Sequence, residues 1–294
     1  MSKLRFLSKN YAANLSHTVS GRKIERKLRI WYNSKDKGNG KIRNRRLNMI
    51  LYFSATGNCK HVAKCIAEEF GDTALSVPEA PKEFSLKKGE MLGIVTPTYF
   101  WELPTIVRDY LTELSPDMPG DNYTFLIATF GTTPGATGEE ARHILSANGI
   151  LLDAAYSIRM PDNWTVWFDL SDPEKVAAQN AKADIQIKKV TEQIRKETLG
   201  NHQMPRVPYF MQTFTDAAFT SARQTSNLHL EGSCIGCGLC AKICPVNAIE
   251  IKDGKPVWVK DHCAMCFGCL HHCPKFAIQY GNGATKKHGQ YVHP

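Results

Sequence analysis

Eight of the ten cysteines fall into two copies of one spacing. Cys234, Cys237, Cys240 and Cys244 precede Pro245, and Cys263, Cys266, Cys269 and Cys273 precede Pro274. Each copy reads C-x2-C-x2-C-x3-C-P, the second 29 residues after the first. Iron in a cubane cluster takes soft thiolate ligands, and three cysteines two residues apart can wrap a tight loop around three irons, the fourth ligand coming from elsewhere. Gly236, Gly238, Ala264 and Gly268 are small enough for backbone N–H groups to turn toward the sulfurs. Zinc ribbons also use C-x2-C pairs, but a four-ligand ion does not call for a repeated triplet plus Cys-Pro. A disulfide framework belongs to small secreted domains, and no secretory segment is evident here. The repeat therefore points to two 4Fe–4S clusters, and so to one-electron chemistry.

Charge is distributed unevenly. Residues 1–48 carry 14 Lys and Arg against Glu25 and Asp36, whereas the remainder carries 23 against 26 acids, so the net charge of +9 resides in the head. This head is expected to be an extension without fixed structure, or one that precedes a natural start at Met49. Its basic runs could meet an anionic surface, but no helix-turn-helix signal accompanies them, so a nucleic-acid partner is not expected. No apolar run approaches the roughly 18 residues a membrane span needs. A reducing, cytoplasmic setting is the expectation.

At 294 residues the chain is long enough for two domains. From Met49 the pattern alternates. Strands are expected over Met49–Phe53, Ala74–Val77, Met91–Val95, Thr124–Thr129 and Ile150–Tyr156. Helices are expected over His61–Phe70, Pro104–Leu114, Gly138–Asn148 and the stretch after Ser171. That last helix carries a capping box, Ser171 with Glu174, a first-turn Pro173, and Gly200 as its stop. Such alternation implies a doubly wound α/β parallel sheet covered on both faces. Residues 201–228, with Tyr209, Phe210, Phe214 and Phe219, read as a linker that packs. The cysteine unit occupies 229–282, too small to cohere without its clusters. The tail 283–294 is expected to be poorly ordered.

Three loops at carboxyl ends of strands share one pattern. Strand one runs into Ser54-Ala55-Thr56-Gly57-Asn58-Cys59 and then a helix, a junction that offers hydroxyls, loop N–H groups and a helix N-terminus to an anion. Strand three runs into Pro97-Thr98-Tyr99-Phe100-Trp101, and strand four into Gly131-Thr132-Thr133-Pro134. Open α/β sheets bind ligands outside those strand ends. A phosphate loop, an aromatic loop and a Gly-containing loop suit a phosphorylated, flat ligand, although one of the three aromatics is expected to pack in the core. Neither P-loop nor G-x-G-x-x-G spacing is present.

On these motifs residues 49–200 resemble a flavodoxin, whose phosphate loop reads Ser/Thr-x-Thr-Gly-Asn-Thr. With the cysteine repeat behind it, residues 49–282 resemble fused flavodoxin–ferredoxin proteins of anaerobes. The resemblance implies a flavodoxin-like sheet plus a small α+β two-cluster ferredoxin domain. It implies FMN, with Ser54, Thr56, Gly57, Asn58 and Cys59 around the phosphate, and Pro97, Thr98, Tyr99, Phe100 with Gly131, Thr132, Thr133 and Pro134 bordering the ring. It also implies crossed ligation. Cys234, Cys237, Cys240 and Cys273 would hold the first cluster, and Cys263, Cys266, Cys269 and Cys244 the second. Cys59 departs from the pattern, since a thiol replaces a hydroxyl. Cys65 reads as buried filler on the apolar face of the following helix. His271 and His272 add to a full set of cysteines rather than replacing any, and their expected exposure would couple a cluster to pH.

One flavin beside two one-electron centres makes a converter. The expected function is electron transfer between FMN, the clusters and a soluble redox protein acting as donor or acceptor. The alternative is an oxidoreductase that reduces a small molecule at FMN with electrons fed by the clusters. No general acid–base constellation stands out in the loops, which favours the carrier.

Overall fold

The computed structural model describes residues 47–205 and 207–294. The basic head expected over residues 1–48 lies outside them, apart from the first two residues of strand β1. Six parallel strands form one sheet: β1 (Leu47–Tyr52), β2 (Ala74–Ser76), β3 (Met91–Pro97), β4 (Tyr123–Phe130), β5 (Ala154–Arg159) and β6 (Gly200–Asn201). Their order is β2-β1-β3-β4-β5-β6, every neighbouring pair parallel. The chain leaves β1 in one direction and returns to β3 on the other side, which opens a crevice at the carboxyl ends of β1 and β3.

Strands β3 and β4 are buried along almost their whole length, because helices cover both faces. On one face Ile50, Met91, Val95, Phe125 and Ile127 meet helix α1 (Asn58–Phe70) and helix α4 (Pro173–Arg195). On the other, Leu51, Leu92, Ile94, Leu126 and Ala128 meet α2 (Thr105–Glu113) and α3 (Thr137–Ala147). Odd and even strand residues divide between the two layers, as a pleat requires.

Several boundaries differ from expectation. The fifth strand begins four residues late, at Ala154 rather than Ile150. Ile150 and Leu152 are buried, but as core plugs ahead of the strand. Helix α4 is capped by Asp172, whose carboxylate accepts from the Glu174 and Lys175 amides at 3.0 and 3.1 Å. Ser171 instead donates to Asp169. Gly200 is no helix stop, since α4 ends at Arg195 and Gly200 opens β6.

After β6 the chain forms helix α5 (Gln212–Ala222). Phe219 is buried, while Tyr209 and Phe210 are exposed. Arg108 holds this segment to the sheet domain, donating to Glu102 at 2.7 Å and Glu140 at 2.6 Å. Thr215 Oγ1 donates to Glu102 and Gln212 Nε2 to Glu140, so α2, α3 and α5 share one polar bolt.

The cysteine unit pairs β7 (Leu228–Leu230) antiparallel with β10 (Ile278–Tyr280), and adds the hairpin β8 (Ile249–Lys252) and β9 (Lys255–Trp258). Two single-turn helices, α6 (Leu239–Lys242) and α7 (Gly268–His271), carry Cys240 and Cys269. The core does not stop between the units. Phe219, Met265, Phe267, Leu270, Ile278 and Tyr280 continue the layer begun by Leu51 and Leu126. The tail is ordered, contrary to expectation. It forms α8 (Ala284–His288) and then packs, with Tyr291 only 5% exposed.

Candidate functional site

The 29-residue repeat reappears in the backbone. Gly236 and Met265, Gly238 and Phe267, and Asn247 and Phe276 all have positive φ, each pair one repeat apart. The strained turns bring main-chain donors onto sulfur. Ala248 N–H donates to Cys244 Sγ at 3.2 Å, and its counterpart Ala277 N–H donates to Cys273 Sγ at 3.3 Å. Met265 N–H donates to Cys263 Sγ at 3.2 Å. Such donors stabilise a negative thiolate and tune whatever metal it binds.

Two apolar cavities sort the cysteines. One is lined by Cys234, Cys237, Cys240 and Cys273. The other is lined by Cys244, Cys263, Cys266 and Cys269, together with Ile243, Ile249, Trp258 and Phe267. In each, three cysteines of one copy meet the Cys-Pro cysteine of the other. Burial pushes the Cys263 and Cys269 thiols up and the Cys266 thiol up to about 12. Iron must therefore displace protons to bind there. The first cavity lies at the outer face, where Cys237 is exposed and Ile235 is 60% exposed.

A cleft opens at the switch point of the large sheet. Its walls are Ser54, Ala55, Thr56, Asn58 and Cys59 after β1, Pro97, Thr98 and Tyr99 after β3, and Thr129, Phe130 and Gly131 at the end of β4. A fourth wall, Met160, Pro161, Asp162 and Asn163 after β5, escaped the sequence reading. Placing that strand too early left the Pro-Asp-Asn turn stranded between elements. Gly131 has no room for a side chain, since a Cβ there would fall 2.1 Å from Asp162 Oδ2.

Thr98 Oγ1 is buried without a hydrogen-bond partner among the described residues, so the cleft has polar capacity that a ligand would use. Together with the N-terminus of α1, these groups fit a flavin phosphate and its attached ring. Cys59 lines the cleft but is 1% exposed, and its Sγ lies 3.1 Å from Thr129 Oγ1. Burial raises its pKa to about 12, so it stays a neutral thiol. Cys65 is half-buried rather than buried, 3.7 Å from His61 Nε2.

Four of the expected ring-bordering residues lie away from the walls. Phe100 stacks on Phe219 at 5.6 Å and meets Trp164 edge-on. Thr133 Oγ1 donates to Pro205 O at 2.7 Å, Thr132 is exposed, and Pro134 is buried. Phe100 and Trp101 are both at positive φ between Tyr99 and Glu102, which exchange two backbone hydrogen bonds. This tight turn sends Tyr99 into the cleft wall and Phe100 away from the cleft, onto Phe219.

The cleft and the inner cysteine cavity are neighbours. Trp164, just past the fourth wall, stacks on Phe267 of the second cysteine loop at 4.9 Å and an interplanar angle of 3°. The second cysteine loop also lies near the loop after β1, since a Cβ at Gly268 would come within 3.8 Å of Ala55 O. His271 is buried, correcting the expected exposure. Its Nδ1 accepts from Tyr291 N–H at 3.1 Å, so Nε2 carries the proton and donates to Asn163 O at 2.9 Å. Burial lowers its pKa to about 4, leaving the ring neutral at physiological pH.

Comparison with known proteins matches both units of the chain. Residues 49–149 match the family described as a flavodoxin domain, and residues 233–278 match a 4Fe-4S dicluster domain. An uncharacterized ferredoxin of Methanocaldococcus jannaschii is 44% identical over 48 residues, covering 16% of this chain and 32% of that one. A ferredoxin of Pyrobaculum islandicum is 38% identical over 53 residues, covering 18% and 50%. The chain thus spans about a third to a half of the curated relatives it matches. Among solved structures, rubredoxin oxygen:oxidoreductase from Desulfovibrio gigas aligns at TM-score 0.29 and 15% identity over 51% of this chain and 37% of that one. The Flv1 flavodiiron core from Synechocystis aligns at 0.32 and 15% over 58% and 42%. Those scores are too low to define the fold, which the strand order does instead. FMN and two 4Fe–4S clusters are the cofactors these two domains imply, and the chain is an FMN and iron–sulfur redox protein.

Proposed function

We propose that this chain, a flavodoxin domain followed by a 4Fe–4S dicluster domain, is an electron-transfer protein that relays electrons between FMN and a partner redox protein. FMN exchanges one or two electrons and each cluster one, which is the chemistry the two domains supply when loaded. Cys263, Cys266, Cys269 and Cys244 hold the inner cluster, and Cys234, Cys237, Cys240 and Cys273 the outer one. The loops after β1, β3, β4 and β5 hold FMN, with Thr56 and the N-terminus of α1 at its phosphate.

The observation that carries this reading is the contact between the second cysteine loop with its helix and the fourth cleft wall, through the Phe267–Trp164 stack and the His271–Asn163 hydrogen bond. It orders the centres as cleft, inner set, outer set. The outer set then faces the partner. Lys255, which donates to Cys234 O, and Lys275, beside Pro274, border it, so an acidic redox protein is the complementary docking surface. Among the described residues no helix is long and apolar enough to cross a membrane.

Rapid mixing of the holoprotein with a one-electron donor tests the relay. Cluster and flavin signals should equilibrate at a rate independent of protein concentration, since exchange runs within one molecule. A rate rising linearly with concentration would make the two domains separate carriers. Turnover with a small-molecule acceptor but no protein acceptor would favour the oxidoreductase.

A further inference from the structure

The chain's last residues bridge the two cofactor regions. His288 O accepts from Leu170 N–H at 2.8 Å, which pins the end of α8 to the loop beyond β5. Gln290 Nε2 then donates to Leu270 O at 2.7 Å and Cys273 O at 2.9 Å, covering carbonyls at the end of α7. Tyr291 N–H donates to His271 Nδ1, while its hydroxyl crosses to Asn58 Oδ1 at 2.6 Å. His293 N–H donates to Thr56 O at 2.7 Å, and its ring stacks on His61 at 4.1 Å. Gly57 between them has φ 97° and no side chain, and a Cβ there would fall 2.8 Å from His293 Cβ.

These contacts act on the acceptors of the phosphate loop. A carbonyl or amide oxygen facing a phosphate repels it, whereas N–H groups attract it. Thr56 O is held by His293, Asn58 Oδ1 by Tyr291, and Thr56 Oγ1 accepts from Asn163 Nδ2 at 3.0 Å. Asn163 in turn is held through its carbonyl by His271 of α7. With the oxygens engaged from outside, the loop can present its donors inward.

We propose that Gln290–His293 is a positioning strap through which the cysteine-bearing helix α7 holds the loop 54–59 in its flavin-binding form. The proposal rests on the FMN reading above and adds a coupling between the sites. Occupancy of the inner cluster tightens FMN binding, and FMN by reciprocity tightens retention of that cluster by the same factor.

The test compares the full chain with one ending at Gly289, each with and without its iron, by FMN fluorescence titration and by iron release to a chelator. The shortened chain should keep all its iron yet bind FMN more weakly by about ten-fold, having lost two hydrogen bonds to the loop. Iron removal should weaken FMN binding to the full chain by about five-fold or more, and hardly affect the shortened chain. Added FMN should raise the chelator concentration that strips half the iron at equilibrium from the full chain only. Tyr291→Phe guards against misfolding, because it keeps the buried ring and deletes only the hydroxyl. It should raise the FMN Kd about five-fold with unchanged iron content and circular dichroism. Equal FMN affinity in all chains, with or without iron, overturns the strap while leaving the flavin site intact. A full chain that binds no FMN at all overturns the flavin reading and the strap with it.

Discussion

Asp162 carries a half-buried carboxylate at the rim of the cleft. Burial raises its pKa above the ordinary 3.8, outweighing the Trp164 N–H it accepts and the nearby Arg159. A folded pKa above the unfolded one means that stability is fully present below 3.8 and is lost as pH rises through the raised value. Asp162→Asn keeps an acceptor for Trp164 and removes the charge. Its melting temperature should exceed that of the parent near pH 7, with the gap closing as pH falls through the raised value toward 3.8. A gap that is constant with pH would show that the carboxylate does not titrate in this way. Asp162 also lies tightly against Gly131, where the two loops close on each other.

The Arg108 bolt shows how elements far apart in sequence are registered. Glu102 and Glu140 are 2% and 5% exposed, and both pair with the Arg108 guanidinium beside their hydrogen bonds from Thr215 and Gln212. Removing it strands two buried carboxylates, whereas a surface pair would count for little. Arg108→Ala should destabilise the fold by about 2–3 kcal/mol, less than a fully buried pair because the arginine is one-third exposed. Denaturant unfolding measures that cost, and hydrogen exchange should show α5 loosening before the sheet. A loss below about 0.5 kcal/mol would class the bolt with ordinary surface pairs.

Across the whole molecule, the cluster unit borrows its core. A unit of some 50 residues buries too little surface to be secure alone, and here Met265, Phe267 and Leu270 pack into the layer of the large domain. In the full chain a chelator should therefore attack the exposed outer set, with Cys237, before the inner one. A fragment spanning 227–282 should reverse that order, since it uncovers the inner loop. Electron paramagnetic resonance with iron counts over time separates the cases, and an unchanged order would show that the unit is autonomous.

Much of this was legible in the residues because its causes are local. Cluster ligation needs short, fixed spacings, so the Cys repeat announces itself, and its positive-φ turns recur one repeat apart for the same reason. Buried parallel strands read as apolar runs, and the loops after β1, β3 and β4 follow from them. The apolar run Ile150–Leu152 misled, because burial alone does not distinguish a core plug from a strand. The sequence by itself thus determined the two cofactor classes, the alternating β–α order and which cysteines come in sets. Only the tertiary structure decided the fourth cleft wall, the stacking of Trp164 on Phe267, and the hydrogen bonds made by Gln290 to His293. Tyr291 and Asn58 are 233 positions apart, and a polar tail of Gly, His and Lys has no periodicity to betray a partner so distant. Its order comes from hydrogen bonds that exist only once two separate cores have merged.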